Sequence, residues 1–543
     1  MLWAETFYVD GDLTSSDCDT YSPASRNCGS GTARAFSTLA GAVAVARAGD
    51  EVLVRAGTYQ EQMVPRESGT ANQPITYRAY PGELVSLTGS FSPATMHLDN
   101  VQYLVIEGFR VRDARWLEAV NVRHIVIRNN EFLRTPASGT TGNVRFISSD
   151  YNQIVGNVLE EGNDNLTLID SDYNLISDNS FREGGHSVLS LRCSNFNLFR
   201  NNVFSNTRQK IAEVYDCGDD TSAVPNAFDA TRHNVFEHNL FVESSSYYST
   251  SGGNGIQYAG QEGIIRHNAF YRNNVGLGMQ VYSDEALYNH HNRVYHNVFY
   301  DNDCAGISPR GNGVDNVFKN NVIYANRGMG GDCFGEGAAQ IVYRNGLQEF
   351  LFEANNIRGQ QPGEDVIKNE FDSGGSLADF ESSHPEVFFG NIEAPPEFRD
   401  ETAYDFRLRE SSPMVDAGVF LTRTANAGSG TQMSVEDALY FRDGFGIEGA
   451  SGDKIQLEGD TLIAEILAID YSQHLITLSR PLEWVQGQGV SLSYGGQAPD
   501  IGLDEKIAAP NWAMWGLSDH QLCGNARPNV LDYLAFLDRP GCP

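Results

Sequence analysis

Residues His124–Phe132 read HIVIRNNEF, a short β-branched run that ends on an asparagine pair and an aromatic residue. The same frame, Ile/Val/Phe, two residues, Asn, one residue, Phe/Leu/Ile, returns as IVGNVL (Ile154–Leu159), ISDNSF (Ile176–Phe181) and FRNNVF (Phe199–Phe204). It continues as FEHNLF (Phe236–Phe241), IRHNAF (Ile265–Phe270), VYHNVF (Val294–Phe299) and FKNNVI (Phe318–Ile323). The frame asparagines Asn130, Asn157, Asn179, Asn202, Asn239, Asn268, Asn297 and Asn321 are 27, 22, 23, 37, 29, 29 and 24 residues apart. A repeat of this size with variable excess predicts a solenoid whose coils carry loops. The runs alternate apolar with polar residues and none is long enough for an amphipathic helix, so the coils are built of strands.

Asparagine tolerates the left-handed backbone of a tight corner, and amides repeated on every coil can hydrogen-bond up the stack. The frame asparagines are therefore expected at the corners, with the aromatic residue two places on stacked inside. Neither is expected to take part in chemistry.

The 543 residues hold 70 Asp and Glu against 38 Lys and Arg, a net charge of −32. Without a basic tract to release counterions, nucleic acid and anionic membranes are poor partners. No run of about 18 apolar residues crosses a bilayer. The start, MLWAETFYVD, lacks an apolar leader core, and a signal peptide is expected to have been removed ahead of it. The eight cysteines fall as Cys18 and Cys28, Cys193 and Cys217, Cys304 and Cys333, Cys523 and Cys542. Two of these gaps are about one coil long, and neighbouring coils lie roughly 4.8 Å apart, within disulfide reach. Four sequential disulfides and a secreted, periplasmic or extracellular location are predicted.

Over about residues 5–430 the pattern resembles the pectate-lyase-like superfamily. The resemblance implies an all-β, right-handed parallel β-helix. ETFYVDG followed by FSTLAGAVAVARAGDEVLVRAGTYQEQ resembles the entry of such proteins. A helix over Phe36–Arg47, with Phe36, Leu39, Val43 and Ala46 on one face, would cap the first coil, and Glu51–Tyr59 and Pro74–Ala79 read as early strands. AYDFRLRESSPMVDAG (Ala403–Gly418) resembles the closing segment of these proteins, yet its companion Pro499-Asp500-Ile501-Gly502 arrives about 80 residues late. Short strands and turns between them predict an inserted small β-barrel. The expected organisation is 1–430 β-helix, 431–496 barrel and 497–543 closing tail, with a helix in NVLDYLAFLD. The barrel is expected to be an accessory module, with Tyr440, Tyr471 or Trp484 as possible sugar contacts.

Chemistry must reside on side chains that point out of the coils. Stacking LTLI (166–169), LSLR (189–192), AEVY (212–215), IQYA (256–259), MQVY (279–282) and ISPR (307–310) gives one outward column of Thr167, Ser190, Glu213, Gln257, Gln280 and Ser308. Its neighbour is Ile169, Arg192, Tyr215, Ala259, Tyr282 and Arg310. His186 opens the Arg192 strand, and Lys210, one of only five lysines, precedes Glu213. The coil from Asn202 to Asn239 is the longest, and long connections on a rigid scaffold commonly carry binding.

The resemblance to chondroitinase B, alginate lyases and pectate lyases implies a monomeric enzyme cleaving a uronate polysaccharide by β-elimination. The C5 proton is acidic enough to abstract only when the carboxylate charge is offset. Lys210 or Tyr215 as base, Arg192 as neutraliser, His186 as proton carrier and Glu213 are the expected catalytic set. Gln257, Gln280, Tyr282 and Arg310 are expected to bind substrate, and Asp216, Asp219 and Asp220 to hold calcium, which favours clustered oxygens. The chain lacks the Asn-Lys-Ser stretch of chondroitinase B and the Asp-Pro-His-Asp motif of mannuronan epimerases. Two other readings stay open. One is a glycoside hydrolase pairing Glu213 with Asp170 or Asp216; the other is a non-catalytic carbohydrate-binding or surface β-helix.

Overall fold

Short strands separated by corners every three to six residues can satisfy their backbone groups only by pairing with the same strand of the next coil. The computed structural model describes residues 4–113, 115–134, 143–215, 231–244, 253–279, 289–310, 313–326, 339–344, 346–361, 363–369 and 374–503. It shows that pairing throughout. Each coil contributes one strand to each of three parallel faces, here A, B and C. In one coil these are Val126–Arg128, Glu131–Leu133 and Val144–Ile147, and in another Ile264–Arg266, Ala269–Tyr271 and Val275–Met279. The architecture is a parallel β-helix. The chain divides into two compact units, Met1–Leu198 and Phe199–Pro543.

In the first unit the entry helix is Leu39–Val45, shorter than the Phe36–Arg47 expected. Thr38 caps it by accepting from the Gly41 amide, and Phe36 belongs instead to strand Ala33–Phe36, paired with Thr6–Val9. The single strand expected over Glu51–Tyr59 is two, Glu51–Val54 and Gly57–Tyr59. Cys18 and Cys28 form a disulfide. Cys193 and Cys304 are also disulfide-bonded, while their expected partners Cys217 and Cys333, together with Cys523, Cys542 and the predicted tail helix, lie outside the described residues.

The frame asparagines stand at the A-to-B corner and form a ladder in each unit. Asn157 Oδ1 accepts from the Asn130 amide and Nδ2, and Asn179 does the same for Asn157. In the second unit Asn202, Asn239, Asn268, Asn297, Asn321, Asn355 and Asn391 repeat it. The series thus runs two coils beyond Asn321, and the Glu381 carboxylate closes it by accepting from the Asn391 amide. The left-handed residue is not the ladder asparagine but the one before it: Asn129, Asp178, Asn201, His238, His267, His296 and Asn320 all have φ between 52° and 59°. Inside, Phe204, Phe241, Phe270 and Phe299 stack with centroids 4.7–4.9 Å apart.

The second unit also carries a curled six-stranded antiparallel sheet, in the order Thr422–Arg423, Gly489–Leu492, Lys454–Leu457, Ile463–Asp470, Leu475–Trp484, Gly428–Ser434. A Thr424–Val435 bridge links the two ends of that order. It begins nine residues ahead of the expected 431. Its chain ends meet where the Gly418 amide donates to the Pro499 carbonyl, 2.8 Å, so the whole sheet leaves and rejoins the closing segment at one point. Tyr440 and Trp484 are buried, and Tyr440 packs beneath Arg293 and Lys319 instead of offering an open face to sugar.

Candidate functional site

Face C carries the candidate side chains, and each unit positions its own set. In the first unit strand Asp164–Ile169 pairs with Ser187–Arg192, setting Thr167 against Ser190 and Ile169 against Arg192, as stacked from the sequence. His186 sits just ahead of its strand. A Cβ on Gly184 would lie 2.2 Å from the Ser187 carbonyl and one on Gly185 2.8 Å from Asn163 Oδ1, so only glycines fit the turn that delivers it. His186 Nδ1 meets Asp164 Oδ1 at 2.9 Å, and the same oxygen accepts from the Ser187 amide and hydroxyl at 3.1 and 3.0 Å. Asp164 is buried and its partner ring half-exposed. His186 and Arg192 stand at opposite ends of one strand, about 20 Å apart along extended chain, too far to serve one bond.

Asp164 was not among the expected residues. The signal available was its place one coil below Ser187, visible once the two strands are set in register. Another carboxylate in this unit is unusual. Burial, reinforced by the charges of Asp150 and Asp170, pushes Asp172 up to about 6.

In the second unit Lys210 precedes strand Ala212–Tyr215, and its carbonyl accepts from Asn206 Nδ2 at 2.8 Å, which folds the approach to the strand. Its ammonium forms an ion pair with Glu213, a carboxylate fully removed from solvent. Glu213 lies in register with Gln257, and Tyr215 is the next outward residue of the same strand. Opposite Gln257, however, stands Gly278 and not Gln280, followed by Ser308. Gln280 and Tyr282 lie outside the described residues, as do Asp216, Asp219 and Asp220. Arg310 is buried on the same face and bridges to Arg344. Among the described residues no three His, Cys, Asp or Glu side chains gather as metal ligands. Of the carboxylates expected to partner Glu213 in hydrolysis, Asp170 belongs to the first unit, where it accepts from the Ser148 hydroxyl at 2.9 Å.

No protein-family model matches the chain. The uncharacterized protein YwoF of Bacillus subtilis (strain 168) is 25% identical over 434 residues, 70% of this chain and 87% of that protein. Among solved structures, pectate lyase Pel9A is similar with a TM-score of 0.44 and 13% identity, covering 93% of this chain and 97% of that one. The PL6 family polysaccharide lyase Pedsa3628 from Pseudopedobacter saltans follows with a TM-score of 0.43 and 14% identity over 69% of this chain and 95% of that one.

Proposed function

We propose that this chain is a polysaccharide lyase that cleaves a uronate-containing glycan by β-elimination. The observation that carries the reading is the Lys210–Glu213 ion pair on the outward side of face C, with Tyr215 on the same row. A cation held by a buried carboxylate is preorganised to offset developing negative charge and needs no rearrangement to do so. In this reading the part of Lys210 is electrostatic: its ammonium, paired with Glu213, faces the uronate carboxylate. Tyr215, as its phenolate, then takes the C5 proton, the C5–H electron pair forms the C4–C5 double bond, the C4–O bond breaks, and the tyrosine hydroxyl passes that proton to the leaving oxygen. Calcium, if bound by Asp216, Asp219 and Asp220, would add to the neutralisation. An oxidising, extracellular location fits the Cys18–Cys28 disulfide.

The test is incubation with pectate, alginate and glycosaminoglycans while following ultraviolet absorbance of the unsaturated uronate. Absorbance that rises with the parent and is lost in Lys210→Ala and Tyr215→Phe supports the reading. New reducing ends without absorbance mean hydrolysis, and neither signal means a binding protein.

A further inference from the structure

Face C of the first unit holds two hydroxyls that the fold does not answer. Leu166, Leu168, Leu189 and Leu191 fill the core of their coils completely. Alternation therefore turns Thr167 and Ser190 outward, side by side on adjacent coils. Both are nonetheless buried, 5% and 1% exposed. Neither Thr167 Oγ1 nor Ser190 Oγ has a hydrogen-bond partner. A buried hydroxyl without a partner destabilises the fold, and valine or alanine would pack as well at lower cost. Two such groups in register mark a place where an acceptor arrives from outside.

The surrounding charge says which acceptor. Arg145 is the register neighbour of Thr167 on the preceding coil, and Arg192 lies two residues beyond Ser190 on the same outward row. Arg145 is held only loosely by Glu118, at 3.9 Å. Two hydroxyl donors bracketed by guanidiniums suit a carboxylate, which accepts from the hydroxyls while the arginines offset its charge. We propose that Thr167 and Ser190 form the floor of a subsite for a uronate carboxylate, flanked by Arg145 and Arg192. This subsite rests on the uronate reading above and adds a binding locus to it, independent of the Lys210–Glu213 pair.

The experiment compares the parent with Thr167→Val, Ser190→Ala and the double variant, in thermal melting and in calorimetric titration with trigalacturonate, trimannuronate and neutral maltotriose. The double variant should melt above the parent yet bind a uronate trisaccharide more weakly by at least about tenfold, as expected for two lost hydrogen bonds to a charged group. Maltotriose binding should not change. Higher melting with unchanged uronate binding would overturn the proposal, leaving two packing imperfections. Lower melting would overturn it too, since the hydroxyls would then serve the fold. If uronate binding falls as expected while the parent releases no unsaturated product, the subsite stands and the lyase reading fails.

Discussion

Arg266 and Asp453, 187 residues apart, meet in a two-pronged ion pair with Nη1–Oδ2 at 2.7 Å and Nη2–Oδ1 at 2.6 Å. The pair fastens the antiparallel sheet to the coils. Arg266 also donates to Glu237, and Arg442 reaches Glu237 Oε1 at 2.7 Å, so two cations and two anions share one buried cluster. Burial alone would raise the Glu237 carboxyl, yet Arg442 and Arg266 outweigh it and hold it well below the usual carboxylate range. Removing one partner strands a buried charge, which typically costs about 3–5 kcal/mol. Asp453→Ala should therefore lower stability by that order and open the sheet to limited proteolysis. Unchanged melting and cleavage would show that the cluster does not fasten the sheet.

The asparagine ladder makes a second prediction. Asn268 Oδ1 accepts from the Asn239 amide and side chain, while its own Nδ2 donates to the Phe236 and Arg266 carbonyls. Asn268→Ala leaves these buried groups unpaired, at about 1–3 kcal/mol for each one that finds no substitute. Chemical denaturation of this variant against an exposed-loop control checks it. A loss below about half a kcal/mol, the range of ordinary surface changes, would contradict the ladder's role.

This ladder was legible in the sequence because the same side chain must recur wherever the same corner recurs. The offset of the left-handed position was not, since Asn, Asp, His and Gly all occupy it and blur the pattern. The register of the face C columns was readable as far as Gln257. It failed at strand Val275–Met279, whose residues VGLGM include two glycines that carry no side chain to reveal the period-two alternation. Long-range partners such as Arg266 with Asp453 depend on how coils and insertion fold back and leave no local trace, whereas the Asp164–His186 contact shows only once the two strands are set in register.

A stack of three histidines predicts acid sensitivity in the second unit. His238, His267 and His296 lie with centroids 4.9 and 5.2 Å apart, and His267 Nδ1 meets the Leu503 carbonyl of the closing segment. Burial is the main cause that lowers His238 and His296 to about 4 and takes His267 well below the usual range; Arg266 acts in the same direction on all three. Arg442 and Arg200 add to it at His238, and Glu237 opposes it there. Because these values lie below the unfolded value of about 6.5, the unfolded chain binds more protons. Their contribution to stability is whole above about pH 6.5 and is lost as the pH falls towards 4. Melting temperature should fall across that window, and the fall should be shallower in His267→Gln. Equal slopes in both proteins would remove the histidines as its cause.

Asp172 should act with the opposite sign. Its folded value of about 6 exceeds the unfolded one, so the protonated acid favours the fold and the ionised form opposes it as the pH rises past 6. Asp172→Asn keeps an oxygen to accept from the Asn195 amide, now at 2.7 Å, and removes the repulsion with Asp150 and Asp170. It should raise the melting temperature by about a degree or two at pH 8 and leave it unchanged near pH 4. A variant less stable than the parent at pH 8 would show that the charge is used.

The Asp164–His186 contact carries the last prediction. The carboxylate accepts a hydrogen bond from Nδ1–H of the imidazole, which fixes the tautomer and leaves Nε2 as the ring's other nitrogen. Asp164→Asn removes the carboxylate and with it the fixed orientation of the ring. If His186 carries a proton in the elimination, His186→Ala should lower kcat far more than it raises KM, and Asp164→Asn should lower kcat by a smaller factor. An unchanged kcat in both variants would confine the pair to holding the Gly184–Gly185 turn. A kcat that falls in Asp164→Asn but no further when that change is added to His186→Ala would make Asp164 a positioning residue, acting only through the ring it holds.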